Sequence, residues 1–129
     1  MDRILMDTHV FLWALAAPDR LPEGARRLLQ DEGVELLVSV ASPWEMAIKV
    51  SVGRLHLPCE LSPFVAEGCK QLGASLLPVE LPHLAELATL PWHHRDPFDR
   101  MIVAQARADR LQLMSYDGAM ASYAVARAG

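Results

Sequence analysis

Arg3-Ile4-Leu5-Met6-Asp7-Thr8-His9-Val10-Phe11-Leu12-Trp13 passes from a short apolar run into a stretch of helical character, with an acid at the junction. Arg3 to Met6 has the unbroken apolar character of a strand buried on both faces, and Thr8 to Ala16 reads as the helix that follows. The same alternation continues outward along the chain. Pro22 opens a second helix through Leu28 and Leu29, which Gly33 ends. Val34 to Val40 is a strand, and Ser42-Pro43 starts a helix that closes at Gly53. Ser62-Pro63 begins another, stopped near Gly73. Ser75 to Val79 reads as a third strand, which Pro78 moves to a sheet edge because proline brings no N–H to a ladder. Pro82 to Leu90 is a short helix, and Asp96-Pro97 caps a longer one running to about Ala108. Gln112 to Ser115 is the last clear strand, with a terminal helix expected from Gly118.

Strands alternating with helices predict an α/β fold: one mostly parallel sheet of four to five strands, covered by helices on both faces. In open sheets of this kind ligands bind beyond the carboxyl ends of the strands. Asp7 directly follows the first strand and Asp117 lies two residues past the last, so the two are expected at one crevice.

The 129 residues are expected to form one domain, 1–129, with a core that needs no disulfide or zinc staple. Apolar residues make up 52% and charged residues 22%, a balance that excludes a disordered chain. The net charge of −4 argues against a protein that coats polyanions generally, and leaves room for a local basic groove. Among the twelve basic residues only Lys49 and Lys70 are lysines, and arginine is the better fork for phosphate oxygens. Cys59 and Cys69 lack metal-ligand spacing and read as free thiols of a reducing compartment. Asp2 and Arg3 leave the start without positive charge, and Asp7 and His9 stand just before the apolar run Val10 to Ala17, which argues against a signal peptide. No segment approaches the roughly 20 apolar residues of a membrane span, so a cytoplasmic protein is expected.

Four acids stand against apolar residues: Asp7, Glu45, Asp99 and Asp117. At 100° per residue Glu45 shares a stripe with Ala41, Ile48 and Val52, and Asp99 shares one with Ile102, Val103 and Ala106. Both are expected to point inward near the first turn of their helices, where peptide dipoles favour negative charge. Each acid has a structural alternative. Asp7 can cap the first helix, Asp99 can complete a box capped by Asp96, Glu45 can pair with Lys49, and Asp117 can open a turn before Gly118. Ionised carboxylates beside a core are costly without partners, and a divalent metal would relieve all four together. Oxygen ligands of this kind suit Mg2+ or Mn2+.

Three blocks and a short tail carry a resemblance: Met6 to Trp13 quoted above; Ser39-Val40-Ala41-Ser42-Pro43-Trp44-Glu45-Met46-Ala47-Ile48-Lys49; Arg95-Asp96-Pro97-Phe98-Asp99-Arg100-Met101-Ile102-Val103-Ala104-Gln105-Ala106; and Ser115-Tyr116-Asp117. In order and spacing, over nearly the whole chain, these resemble PIN-domain ribonucleases, specifically the VapC-type toxins of bacterial toxin–antitoxin pairs. The resemblance implies that Asp7, Glu45, Asp99 and Asp117 form a metal-binding acidic quartet, with Asp96 a helix cap. It further implies cleavage of an RNA substrate by a metal-activated water, neutralisation by a cognate antitoxin, and pairing as a homodimer. Departures are modest: Ser115 stands where such proteins often carry Thr, Met120 stands at an often aromatic place, and little chain remains after Ala126 for a final edge strand.

Thr8 or Ser115 is expected to orient the attacking water, and Arg95 and Arg100, with His93 and His94, to meet the RNA backbone. His9 is expected to be a buried, hydrogen-bonded histidine, Trp92 a loop anchor, and Trp13 and Trp44 packing residues. Phe11 to Leu29 and Ala47 to Leu57 are apolar enough to include a groove for an antitoxin segment. A haloacid-dehalogenase-like phosphatase would need a second Asp where His9 stands, and a receiver domain would need an early acidic pair. The alternative that remains is a degenerate PIN-like module that binds RNA or a partner without cutting.

Overall fold

The computed structural model describes residues 2–129. Four strands, β1 (Asp2–Met6), β2 (Val34–Ser39), β3 (Ala74–Leu77) and β4 (Gln112–Met114), form one sheet in the order β3-β2-β1-β4. Every neighbouring pair is parallel, with Leu5 beside both Leu37 and Leu113. The crossovers are helical: α1 (Thr8–Ala16) and α2 (Glu23–Gln30), then α3 (Ala41–Ser51) and α4 (Leu61–Leu72), then α5 (Leu81–Thr89) and α6 (Pro97–Ala108).

Alternation along the strands builds two cores. Ile4, Met6, Leu36, Val38 and Met114 face one side and pack with Val10, Phe11, Ala25, Met46 and Val65. Leu5, Leu37, Leu77 and Leu113 face the other and pack with Met101, Ile102, Val103 and Ala106 of α6. Burial on both faces is why Ile4-Leu5-Met6 reads as an unbroken apolar run. Each such side chain contributes about 1.5–3 kcal/mol by leaving water. On the first side α4 crosses α1 closely at Gly68, where a Cβ would stand 2.6 Å from Leu15 Cδ1 and 3.1 Å from Phe11 Cζ. Gly73 ends α4 in the left-handed conformation, φ 67°, that favours glycine.

Two expectations are corrected. The stretch from Gly118 makes only a 3-10 turn, Gly118–Ser122, because the chain then returns alongside β4. Leu113 N donates to Ala126 O at 2.8 Å and Ala128 N to Leu113 O at 3.0 Å. This is a single parallel bridge between Leu113 and Arg127 and not a fifth strand. On α3, Ala41 and Glu45 are buried but Ile48 and Val52 are exposed, Val52 by 61%. Glu45 apart, the stripe is apolar, yet only its first turns are covered by the rest of the domain. Pro78 directly follows β3, which is an edge strand as the proline predicts.

Candidate active site

The chain builds outward from β1 to β2 to β3 on one side, then crosses to place β4 on the other side of β1. That reversal opens a crevice at the carboxyl ends of β1 and β4, the usual ligand position of such sheets. Asp7 emerges there from β1. Its N–H donates to Met114 O at 3.1 Å, and its Oδ1 accepts from Val10 N at 2.8 Å, so it also caps α1. It is 2% exposed. Asp117 emerges beyond β4 and caps the 3-10 turn by accepting from Ala119 N at 2.9 Å. Ser115 Oγ accepts from Asp117 N at 3.2 Å. Its own hydroxyl donates to Met120 Sδ at 3.3 Å.

The other two acids arrive on helices. Glu45 is 5% exposed and held on both oxygens: Thr8 Oγ1 donates to Oε1 at 2.9 Å, and Lys49 Nζ lies 3.0 Å from Oε2. Thr8 also shares a hydrogen bond of 2.8 Å with Ser42 Oγ. Asp99 sits in the first turn of α6, whose N-cap Asp96 accepts from Phe98 N at 2.9 Å and from Asp99 N at 3.1 Å. The Asp99 side chain is free of the cap and meets His94 Nε2 at 2.8 Å through Oδ2.

Burial pushes Asp7 above its ordinary pKa; hydrogen bonds from Ser115 and Val10 and the charge of His9 oppose this, and Asp117 adds to it. Burial raises Asp99 to about 6, against the His94 hydrogen bond, with Asp96 and Glu45 raising it further. Asp7 thus feels Asp117, and Asp99 feels Glu45. One ligand atom each of His94, Asp99 and Asp117 lies within 4.8 Å of the others. Among the described residues no Lys or Arg pairs with Asp7, Asp99 or Asp117. A set of carboxylates that crowd one another without Lys or Arg at three of the four is the donor chemistry of a hard divalent cation.

The family whose model matches this sequence is described as the PIN domain, over residues 4–126. The chain belongs to the PIN domain family. Among curated proteins no sequence gives a significant match. Its fold is shared with a chain of DNA-bound VapBC from Salmonella typhimurium, TM-score 0.68 at 15% identity, covering 98% of this chain and 96% of that one. VapBC2 from Rickettsia felis, bound to a promoter DNA fragment, contains a chain matching at TM-score 0.67 and 10% identity, over 97% and 96%. FitAcB from Neisseria gonorrhoeae matches at TM-score 0.59 and 22% identity, over 98% and 96%.

Around this PIN domain's acids, several side chains do other work than the sequence predicts. Arg100 is buried, not a backbone-phosphate contact: its guanidinium donates to Pro91 O at 2.7 Å, Tyr123 Oη at 3.1 Å and Leu90 O at 3.3 Å. The loop before α6 takes up its donors. Thr8 is also buried, with its hydroxyl turned to Glu45 and Ser42. Arg95 is exposed and lines a cleft of about 310 Å³ with Trp92 and Pro97. Trp92 is 78% exposed, yet its ring stacks on the Arg100 guanidinium, 3.7 Å from the ring centroid. Trp44 is 60% exposed and touches Phe98 edge-on, whereas Trp13 is partly buried as expected. His9 is exposed, 5.8 Å from Trp13 between ring centroids, and with Tyr116 these line a cavity of about 200 Å³ beside Asp7 and Asp117. Its i,i+4 spacing from Trp13 was the available signal. Ser42 and Tyr123 gave none, since their partners are distant in the chain.

Proposed function

We propose that this protein is an RNA-cleaving nuclease of the toxin–antitoxin type, working with Mg2+ or Mn2+ held by Asp7, Glu45, Asp99 and Asp117. The observation that carries the reading is the approach of Asp99 and Asp117 to one another beside His94, with Asp117 raising the pKa of Asp7, Glu45 raising that of Asp99, and no Lys or Arg on Asp7, Asp99 or Asp117. A bound divalent ion supplies positive charge to phosphate oxygens and acidifies water. Asp7 and Asp99 are the direct ligands in this scheme. Thr8 and Lys49 fix Glu45, so its oxygens keep one direction, Val10 N holds Asp7, and Ser115 holds the backbone of Asp117. Asp117 completes the acidic wall and holds an ordered water. Arg95, on the rim, meets an RNA phosphate.

The partners follow from what the surface leaves uncovered. Trp44, Ile48 and Val52 recur at i, i+4 and i+8 along α3, and all are exposed. That apolar strip supports a homodimer, and the exposed Ile48, Val50 and Val52 within Ala47 to Leu57 support capture of an antitoxin segment. Fold likeness to VapBC chains is consistent with such a partner. The protein acts in the cytoplasm on this reading, and no helix among the described residues is long and apolar enough to cross a membrane.

The test is to incubate the purified chain, freed of any partner, with total RNA in Mg2+ and in chelator, and to map the new ends. Discrete cuts that vanish with chelator and in Asp99→Asn are expected. RNA that stays intact under every condition would favour a module that only binds.

A further inference from the structure

His94 stands in the acidic cluster without being one of its acids. Its Nε2 is 2.8 Å from Asp99 Oδ2, and both lie within 4.8 Å of an Asp117 oxygen. Adjacent donors on one ion with bonds of about 2.1 Å sit about 3 Å apart, so this nitrogen and oxygen already have the separation of neighbouring ligands.

The backbone that carries this ring is also held more firmly than a surface counter-ion would need. Tyr123 Oη accepts from His94 N at 2.9 Å and lies 3.4 Å from His94 O, gripping both sides of that residue's backbone. Arg100 in turn holds Tyr123 and the carbonyls of Leu90 and Pro91. Arg100 follows Asp99 directly in sequence, yet its charge goes to the loop and not to the acids. The arrangement leaves the carboxylates without that cation and fixes the backbone that brings an imidazole beside them.

Resting on the metal-site reading above, we infer that His94 Nε2 is a ligand of the ion bound by Asp99 beside Asp117, and that it biases the site towards a first-row transition ion over Mg2+. An imidazole nitrogen binds transition ions well, whereas Mg2+ strongly prefers oxygen. The all-carboxylate set alone would not discriminate in this way.

Calorimetric titration of the full chain with MnCl2 and with MgCl2 tests the bias. In His94→Ala the Mn2+ dissociation constant should rise about tenfold or more and the Mg2+ constant less than about threefold. His94→Gln, which keeps a polar side chain of similar reach, should behave like His94→Ala. Pulsed EPR of the Mn2+-loaded protein should show 14N coupling that both variants lose. Equal losses for the two ions, absence of nitrogen coupling in the wild type, or coupling that persists in His94→Ala would each overturn the assignment. Asp99→Asn separates the two readings. If it abolishes Mn2+ binding while the wild type shows no nitrogen, only the His94 ligand fails; if it leaves Mn2+ binding intact, the metal site itself fails.

Discussion

Replacing Asp99 by Asn should stabilise the metal-free protein at neutral and alkaline pH. Burial holds the Asp99 carboxyl at about 6 against an ordinary 3.8, with Asp96 and Glu45 contributing repulsion. The difference, 6 − 3.8 ≈ 2.2, corresponds to about 3 kcal/mol at roughly 1.4 kcal/mol per tenfold. Solvent reaches part of the carboxylate, whose side chain is 16% exposed, so about 2 kcal/mol is the working figure. Below pH 4 the acid is neutral in the folded and unfolded chain and costs nothing. Between pH 4 and 6 the unfolded chain ionises first, so folded stability falls through that window, and above pH 6 the full penalty stands. Asn keeps an oxygen for His94 and has no charge to bury. In calorimetric melts with chelator, Asp99→Asn should exceed wild type by about 5–10 °C at pH 8 and match it at pH 4. Added Mn2+ should reverse the order. At 100 times the dissociation constant it stabilises wild type by about 2.7 kcal/mol, and the variant should respond little. A variant melting at or below wild type at pH 8 in chelator would refute the claim that Asp99 is held against its solvation.

Gly68→Val should lower stability by about 2–3 kcal/mol, read from urea unfolding, because its Cβ meets Leu15 and Phe11 where α4 crosses α1. Arg100→Met should cost about 2–3 kcal/mol, since the Leu90 and Pro91 carbonyls lose their buried donor, and should raise hydrogen exchange in the loop before α6. Arg95→Ala should leave the melting temperature within about 1 °C, because the side chain is exposed and makes no ion pair among the described residues. RNA affinity should fall, and the slope of log affinity against log salt should shrink by about one contact.

The element order was legible because each signal is local. The apolar run Ile4-Leu5-Met6, Asp96 before Pro97, and Gly73 after Leu72 report how a few neighbouring residues meet their hydrogen-bonding and steric needs. Asp7 and Asp117 could be assigned to one crevice because strand ends in a parallel sheet gather on one side. The periodicity of α3 misled beyond Met46. A stripe shows which face of a helix is apolar, and what covers that face depends on elements far away in the chain. Ile48 and Val52 continue the pattern into open solvent.

The chain's own letters determined a parallel α/β domain with four acids set against apolar residues, since burial on two faces and helix capping leave their mark within a few positions. Only the tertiary structure decided that Arg100 serves the loop, that His9 and Trp92 face outward, and that His94 joins the acids. Those outcomes rest on contacts such as Tyr123 with His94, 29 residues apart. A loop has no repeat that could announce such a partner, and a donor's choice among distant acceptors is settled only when the packed helices bring one of them within reach.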